Sequence, residues 1–333
     1  MKNPTLIDGL VDPIDGSCDS LFICCSSYEE RSALGARKLS PQYRASHSII
    51  CRASEYKDKG KSPEYYEEIR GRLTKMCLTA PETYHFGIQD SISFVHALAK
   101  NVGELQDKNP LRAVTVDIST FPREELLLLL RYLDNNVGRG LIRLLYGEPA
   151  KYATEEKNEE DRWLTRGVKS VHPIPGFGGF QLPGRPKILV VVLGHEGERT
   201  HICIRRHQPD EIILIPQGKE QHHAGLREIS DQLNQEVISL YGREHIWPTG
   251  LSSRGVIETE QVILEIFKKY RYSHNMFVAA NGTKMQLIGV YVATRVFMEI
   301  QITYAAPAVY NWESYSSGTG FLWEMMLEPP FKD

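Results

Sequence analysis

The chain has 333 residues, 41% of them hydrophobic and 24% charged, with a formal net charge of −3. That length suffices for about two domains, each with its own core, and the composition excludes a disordered chain, a fibre and a coiled coil. The charge speaks against general electrostatic binding to long DNA or RNA, while a small anionic ligand in a local basic pocket stays open.

In chain order, apolar runs alternate between strand-like and helix-like periodicity. Strands are predicted near 21–26, 46–52, 83–87, 113–118 and 141–146, with helices near 29–39, 63–77, 90–105 and 122–134 between them. Residues 153–184 are polar, carry the acidic run Glu155–Asp161, end in HPIPGFGGFQLPGRP, and read as a linker or long loop. Strands follow near 187–193, 211–216, 245–248, 276–280 and 298–304, with helices near 198–207, 221–241, 258–270 and 283–296. His222 and His223 fall in a polar helical stretch and are expected to be exposed. A tail over 311–333 is expected to cover a sheet edge. Strands alternating with helices imply parallel sheets with helices on both faces. The expected fold class is therefore α/β, with two tandem Rossmann-like parallel-sheet domains in a pseudo-two-fold arrangement. The expected boundaries are a first half over 1–152, the connector 153–184, a second half over 185–310 and the tail 311–333.

No run is predicted to span a membrane. Leu126–Leu130 is short and bracketed by Arg123, Glu124, Glu125 and Arg131, and the apolar run near 277–302 contains Lys284, Arg295 and Glu299. Asp8, Asp12, Asp15 and Asp19 interrupt the N-terminal region, which does not read as a signal peptide. Cys24, Cys25, Cys51 and Cys203 lie inside apolar runs and read, with Cys18 and Cys77, as reduced thiols, so a cytoplasmic location is expected. Cys18, Cys24 and Cys25 lack a second ligand pair at zinc spacing, and neither metal nor cofactor is expected.

An internal repeat organises the chain. LFICCSSYEERS, residues 21–32, aligns without a gap on LVVVLGHEGERT, residues 189–200, so that Glu30, Arg31 and Ser32 match Glu198, Arg199 and Thr200. VTVDIST before one helix matches FVAANGT before another. Tyr146-Gly-Glu-Pro-Ala-Lys-Tyr152 matches Tyr304-Ala-Ala-Pro-Ala-Val-Tyr310. Three pairs in the same order at similar spacing point to a duplication.

Doubly wound sheets bind ligands beyond the carboxyl ends of their strands, where strand order reverses, and the first two repeated turns follow strands one and four. Ser27-Tyr-Glu-Glu30 has capping-box spacing, so Glu30 can cap its own helix; Glu198 has His195 in the Ser position, and the retention of both glutamates favours a shared second role. Arg31 and Arg199 fall in a first helical turn, where a cation opposes the helix dipole and makes more sense facing an anion or a carboxylate. Ser119 or Thr120 can cap the next helix with Pro122 in its first turn, and Asn281, Gly282 and Thr283 can do so in the second half. Such helix starts also bind phosphate, with Lys284 adding a point charge. Tyr146, Tyr152, Tyr304 and Tyr310 are packing residues or base-stacking ones. Asp117 ends strand four near the expected place of Glu30, and two carboxylates there can do acid–base or nucleophilic work.

Asn281-Gly-Thr-Lys284-Met resembles the turn after the fourth strand of CARF domains, Rossmann-like sensors of cyclic oligonucleotides in CRISPR systems. LVVVLGHEGERTHICIRRHQPDEIILI, residues 189–215, resembles their first β-α-β unit. The resemblance extends over residues 186–310 and, more weakly, over 20–152. A duplicated chain also resembles in outline the related SAVED domain, a fused pair of CARF-like units in antiphage defence. The resemblance implies a sensor of a nucleotide signal, standing alone or as a subunit, with a protein partner or effector encoded nearby. Its ligand-binding residues would be Ser27, Glu30, Arg31, Ser119, Thr120, Glu198, Arg199, Asn281, Gly282, Thr283 and Lys284. Two alternatives stay open: a nucleotide-processing enzyme, a ring nuclease or N-glycosidic hydrolase using Glu30 and Asp117, and a scaffold without ligand.

Overall fold

The computed structural model describes residues 2–108, 110–137, 141–155, 162–221 and 225–328. Along the chain the strands are β1 (Thr5–Leu6), β2 (Asp19–Ser26), β3 (Ala45–Ala53), β4 (Glu82–Phe86), β5 (Ala113–Asp117), β6 (Leu141–Gly147), β7 (Lys151–Tyr152), β8 (Thr165–Pro173), β9 (Lys187–Val192), β10 (Glu211–Ile215), β11 (Asn275–Ala280), β12 (Gln301–Tyr310), β13 (Ser316–Ser317) and β14 (Leu322–Leu327). The helices are α1 (Leu34–Lys38), α2 (Ser62–Met76), α3 (Ser91–Lys108), α4 (Arg123–Asn136), α5 (Gly197–His207), α6 (Leu226–Leu233), α7 (Gln235–Tyr241), α8 (Val256–Tyr270) and α9 (Lys284–Val296). The chain divides into two compact units, Met1–Tyr152 with Trp312–Asp333, and Ala153–Asn311. Both are α/β, with mixed sheets rich in parallel pairs.

The sheet of unit 1 runs β1-β14-β6-β5-β2-β3-β4. Its β2 to β6 pair in parallel, in the spatial order third, second, first, fourth, fifth, and β14 joins β6 antiparallel. Strands buried on both faces read as continuous apolar runs, as in Leu21–Cys25 of β2. Phe22, Cys24 and Ile50 pack with Ile69 and Leu73 of α2. The leucines of α4 are all buried, so this helix has no solvent face along that run.

The sheet of unit 2 runs β10-β9-β11-β12-β8. β9 to β12 pair in parallel and β8 joins β12 antiparallel. Leu189, Val191, Cys203, Leu214 and Phe277 form its core. Relative to β9, the strands β10, β11 and β12 take the places that β3, β5 and β6 take relative to β2.

Several expectations are corrected. The helix expected over 29–39 begins as a 3-10 turn, Glu30–Ala33, and only then becomes α1. The connector contributes β8, which pairs along most of β12 and lengthens that strand to Tyr310. The strand expected over 245–248 is reduced to a parallel bridge between Leu214 and Ile246 after a 3-10 turn. The helix expected over 221–241 is two helices meeting at Asn234, whose Nδ2 donates to Gly194 O at 2.7 Å. His222 and His223 lie outside the described residues, as does 156–161 of the acidic run. The tail supplies β14. All six cysteines are free thiols; Cys18 and Cys77 are half-buried, and burial pushes Cys51 up to about 12.

Candidate functional site

The repeated residues build the same network in each unit. Arg31 is only 3% exposed and sets Nε and Nη2 each 2.8 Å from Glu29 Oε2. Its Nη1 donates to Gly147 O at 3.2 Å, and its guanidinium carbon lies 5.9 Å from the ring centres of Tyr146 and Tyr152. Ser316 Oγ donates to Glu29 Oε2 at 2.6 Å. In unit 2, Arg199 is likewise 3% exposed, with Nη1 donating to Glu196 Oε2 at 2.7 Å and Nε to Ala305 O at 2.8 Å. Its guanidinium carbon lies 5.2 Å from the Tyr304 ring centre, and Thr165 donates to Glu196. The tyrosine hydroxyls lie 3.5 Å apart in the Tyr146–Tyr152 pair and 3.3 Å apart in the Tyr304–Tyr310 pair. Even the register matches: Tyr146 faces Trp323 and Tyr152 faces Ser316, as Tyr304 faces His172 and Tyr310 faces Thr165.

Of the two partners expected for these arginines, an anion or a carboxylate, the structure puts a carboxylate beside each, and Arg199 Nη2 has no partner among the described residues. A buried guanidinium needs a carboxylate beside it, and each already has one. The acids are not the aligned pair. A 3-10 turn puts the acid two residues before Arg31, and an α-helical start puts it three before Arg199, so Glu29 and Glu196 serve. Glu30 instead meets Arg37 Nη1 at 3.0 Å, and Arg37 is also forked onto Glu68 of α2. Glu198 accepts from Gly167 N at 3.1 Å. The tyrosines are packing residues of this network. The capping box expected at Ser27 does not form: Glu29 is the N-cap, and Ser27 O accepts from Ser32 Oγ at 3.4 Å.

In unit 2 the turns after β9 and β11 meet at the carboxyl edge. A Cβ at Gly194 would overlap the Asn281 carbonyl, so only glycine allows the two backbones to touch there. Asn281 Nδ2 donates to Thr200 Oγ1 at 3.1 Å. Thr283 caps α9 in a full capping box: Gln286 N donates to Thr283 Oγ1 at 3.2 Å, and Thr283 N to Gln286 Oε1 at 2.8 Å. Gln286 and Gln217 exchange amide hydrogen bonds at 3.0 and 3.2 Å, and Gln217 also donates to Leu193 O. Asn281 and Gly282 are buried; Thr283 and Lys284 remain half-buried at the edge.

In unit 1 Asp117 is buried, accepts from Ser119 N at 3.0 Å and from Ser119 Oγ, and presses so closely on α1 that a Cβ at Gly35 would overlap it. Ser119 Oγ accepts from Gly147 N at 2.8 Å, and Thr120 Oγ1 donates to Cys25 O. Neither caps α4, whose N-cap is Pro122 without a side-chain bond. These hydroxyls tie the turn after β5 to β6 and β2. Asp117 and Glu30 thus have different partners, and each has a structural role.

Sequence reasoning passed over two carboxylates. Glu124 and Glu125 occupy the first turn of α4 and are buried. Glu124 accepts from Ser91 Oγ. Glu125 accepts from Gln89 N at 2.9 Å, and Gln89 holds φ at +67° to deliver that bond. Burial pushes the Glu125 carboxyl up to about 7. Acids in a first helical turn were visible in the sequence; their burial was not. At the amino edge a half-open cleft of about 530 Å³ is lined by Lys2, Asp12, Arg143 and Glu324. Its charges are internally matched, since Arg143 pairs with Asp19 at 3.4 Å and Glu324 at 3.9 Å. Among the described residues, no helix is long and apolar enough to cross a membrane, and no group of three or more His, Cys, Asp or Glu is placed to hold a metal.

In comparisons with known proteins, no family model and no curated protein matches this chain.

Proposed function

We propose that this chain is a nucleotide-sensing protein of prokaryotic antiviral defence, made by internal duplication of one CARF-like, Rossmann-like unit. The ligand is a small anionic nucleotide, a cyclic oligonucleotide being the form the resemblance favours. The observation that carries the reading is the start of α9. Thr283 and Lys284 stand half-buried at the carboxyl edge between β9 and β11, on a helix whose first turn is already ordered by a capping box. A helix N-terminus with an adjacent lysine is chemically suited to a phosphate. The duplication draws support from the matching strand orders and from the two arginine networks. A cytoplasmic location and a partner that reads the bound state belong to the same proposal. The enzyme reading has less support, because Glu30 and Asp117 are both held by structural partners.

The test is thermal shift of the full chain against linear and cyclic nucleotides, followed by titration calorimetry of the responding species. Lys284→Ala is expected to leave the fold intact and weaken binding about tenfold or more, the loss of one charge-assisted contact. Unchanged affinity in that variant removes the ligand from α9. Chromatography of the incubated ligand separates the classes: intact ligand is the sensor outcome, a new product the enzymatic one.

A further inference from the structure

The face of the unit 1 sheet that packs on α2 changes character at its carboxyl edge. Phe22 and Cys24 of β2, Ile50 of β3, and Leu73 and Ile69 of α2 form an apolar core, with Tyr66 against it. One step further toward the carboxyl edge, the same three rows end in Ser26, Arg52 and Ser62. Ser26 and Arg52 are direct partners in the parallel register, so their side chains share that face. Ser62 lies one helical turn before Tyr66, and the Arg52 guanidinium carbon stacks 4.1 Å from the Tyr66 ring centre.

All three are buried, Ser26 to 3%, Arg52 to 8% and Ser62 to 0% exposure. Ser26 Oγ, Arg52 Nε and Ser62 Oγ have no hydrogen-bond partner among the described residues. Arg52 Nη2 donates to Lys57 O at 2.6 Å, a neutral acceptor. The contrast with the other deeply buried arginines is direct. Arg31, Arg143 and Arg199 each pair with a carboxylate, while Arg52 pairs with none among the described residues. Buried charges are ordinarily paired and buried hydroxyls hydrogen-bonded, and at this end of the face neither holds among the described residues. The 15-residue helix α2 starts here with Lys61 as N-cap and no side-chain cap; Ser62 N donates to Lys59 O at 3.0 Å, and Glu64 stands in the first turn. His85, in register with Arg52, is held below its usual range mainly by burial, with Arg52 and Lys57 adding to the shift and Asp58 opposing it.

We infer that Ser26, Arg52 and Ser62 form a phosphate-binding site at the carboxyl edge of the unit 1 sheet, taking the phosphoryl group of a small phosphorylated ligand. Guanidinium N–H and hydroxyl donors suit a phosphoryl oxyanion, which accepts several charge-assisted hydrogen bonds. The site is separate from Lys284 and does not depend on the reading of α9.

The experiment is thermal shift of the full chain with inorganic phosphate, against chloride and acetate at matched ionic strength. Phosphate is expected to give a saturable rise in Tm that acetate does not. Arg52→Met is expected to fold without phosphate at an equal or higher Tm, because it replaces an unpaired buried cation with an apolar chain, and to lose the saturable rise. Ser62→Ala, a milder change, is expected to keep the rise with an apparent Kd about tenfold weaker. Lys284→Ala is expected to keep the phosphate response in full. A phosphate response unchanged in both Arg52→Met and Ser62→Ala overturns the site, as does an equal response to acetate or none at all.

Discussion

The two units share a frame and differ at its carboxyl edge. In unit 2 that edge is filled from within: Gly194 lies against the Asn281 backbone, and Gln217 and Gln286 satisfy each other beneath the start of α9. In unit 1 the corresponding strands end in Ser26 and Arg52, whose Oγ and Nε have no hydrogen-bond partner among the described residues; unit 2 leaves Arg199 Nη2 and Asn234 Oδ1 in the same condition. The residues that repeat between the halves, Arg31 with Arg199 and the tyrosine pairs, turn out to hold the frame together. The residues that do not repeat decide what each edge can bind. A motif that recurs in both units therefore marks what the shared frame needs, and function is better sought where the two units differ.

That contrast can be broken from several directions. The largest effect is expected at the shared frame. Arg31→Met leaves the buried Glu29 without its cation and should lose about 3–5 kcal/mol in denaturant unfolding; Arg199→Met leaves the half-buried Glu196 without its cation and should lose no more than that. If one is tolerated and the other is not, the two networks are not equivalent. Arg52→Met should move the opposite way, which separates a paired buried arginine from an unpaired one.

A smaller, pH-dependent effect is expected at Glu125, which has no counterpart in unit 2. Its folded pKa of about 7 lies above the usual 4.5. A raised carboxyl pKa means that the folded state holds the proton more tightly. Its stabilising contribution is therefore full below about pH 4.5 and is lost as pH rises through about 7. Glu125→Gln keeps an acceptor for Gln89 N and removes that loss. Urea unfolding at pH 8 should find the variant more stable by up to about 3 kcal/mol, with the gain shrinking toward pH 5. A gain independent of pH would assign the effect to packing instead. The smallest effect is expected at the capping box that starts α9. Thr283→Ala should lose about 1 kcal/mol, read as a lower Tm. No loss would mean that Gln286 alone keeps α9 ordered.

Much of the fold was legible because its signals are local. Buried parallel strands such as β2 and β9 are unbroken apolar runs, and α2 and α8 are bounded close to where periodicity places them. The strand β8 was not legible, because Thr165–Pro173 is polar, holds a glycine and is extended only through its pairing with β12. The meeting of the repeated turns was legible, and the partners of their side chains were not. The turns after strands one and four do meet at the carboxyl edge, yet whether an arginine faces a ligand or a carboxylate depends on burial, which the sequence of Arg31 or Arg199 does not carry. Arg52 closes an apolar strand run as many surface arginines do. Only its register with Ser26 and its stacking on Tyr66 set it apart.

The path of the chain through β8 and β14, the strands that pair antiparallel with β12 and β6, bears on synthesis. β8 follows the first half in sequence and completes the sheet of unit 2, while β14 follows the second half and completes the sheet of unit 1. As the chain leaves the ribosome, β6 therefore waits with an open hydrogen-bonding edge until the last residues emerge, and an open edge invites pairing with other chains. Unit 2, whose edge strand precedes its core, is complete once β12 has been made. The half translated first is the half that finishes last, and a chain truncated before Leu322 would lose the strand that joins β1 to β6.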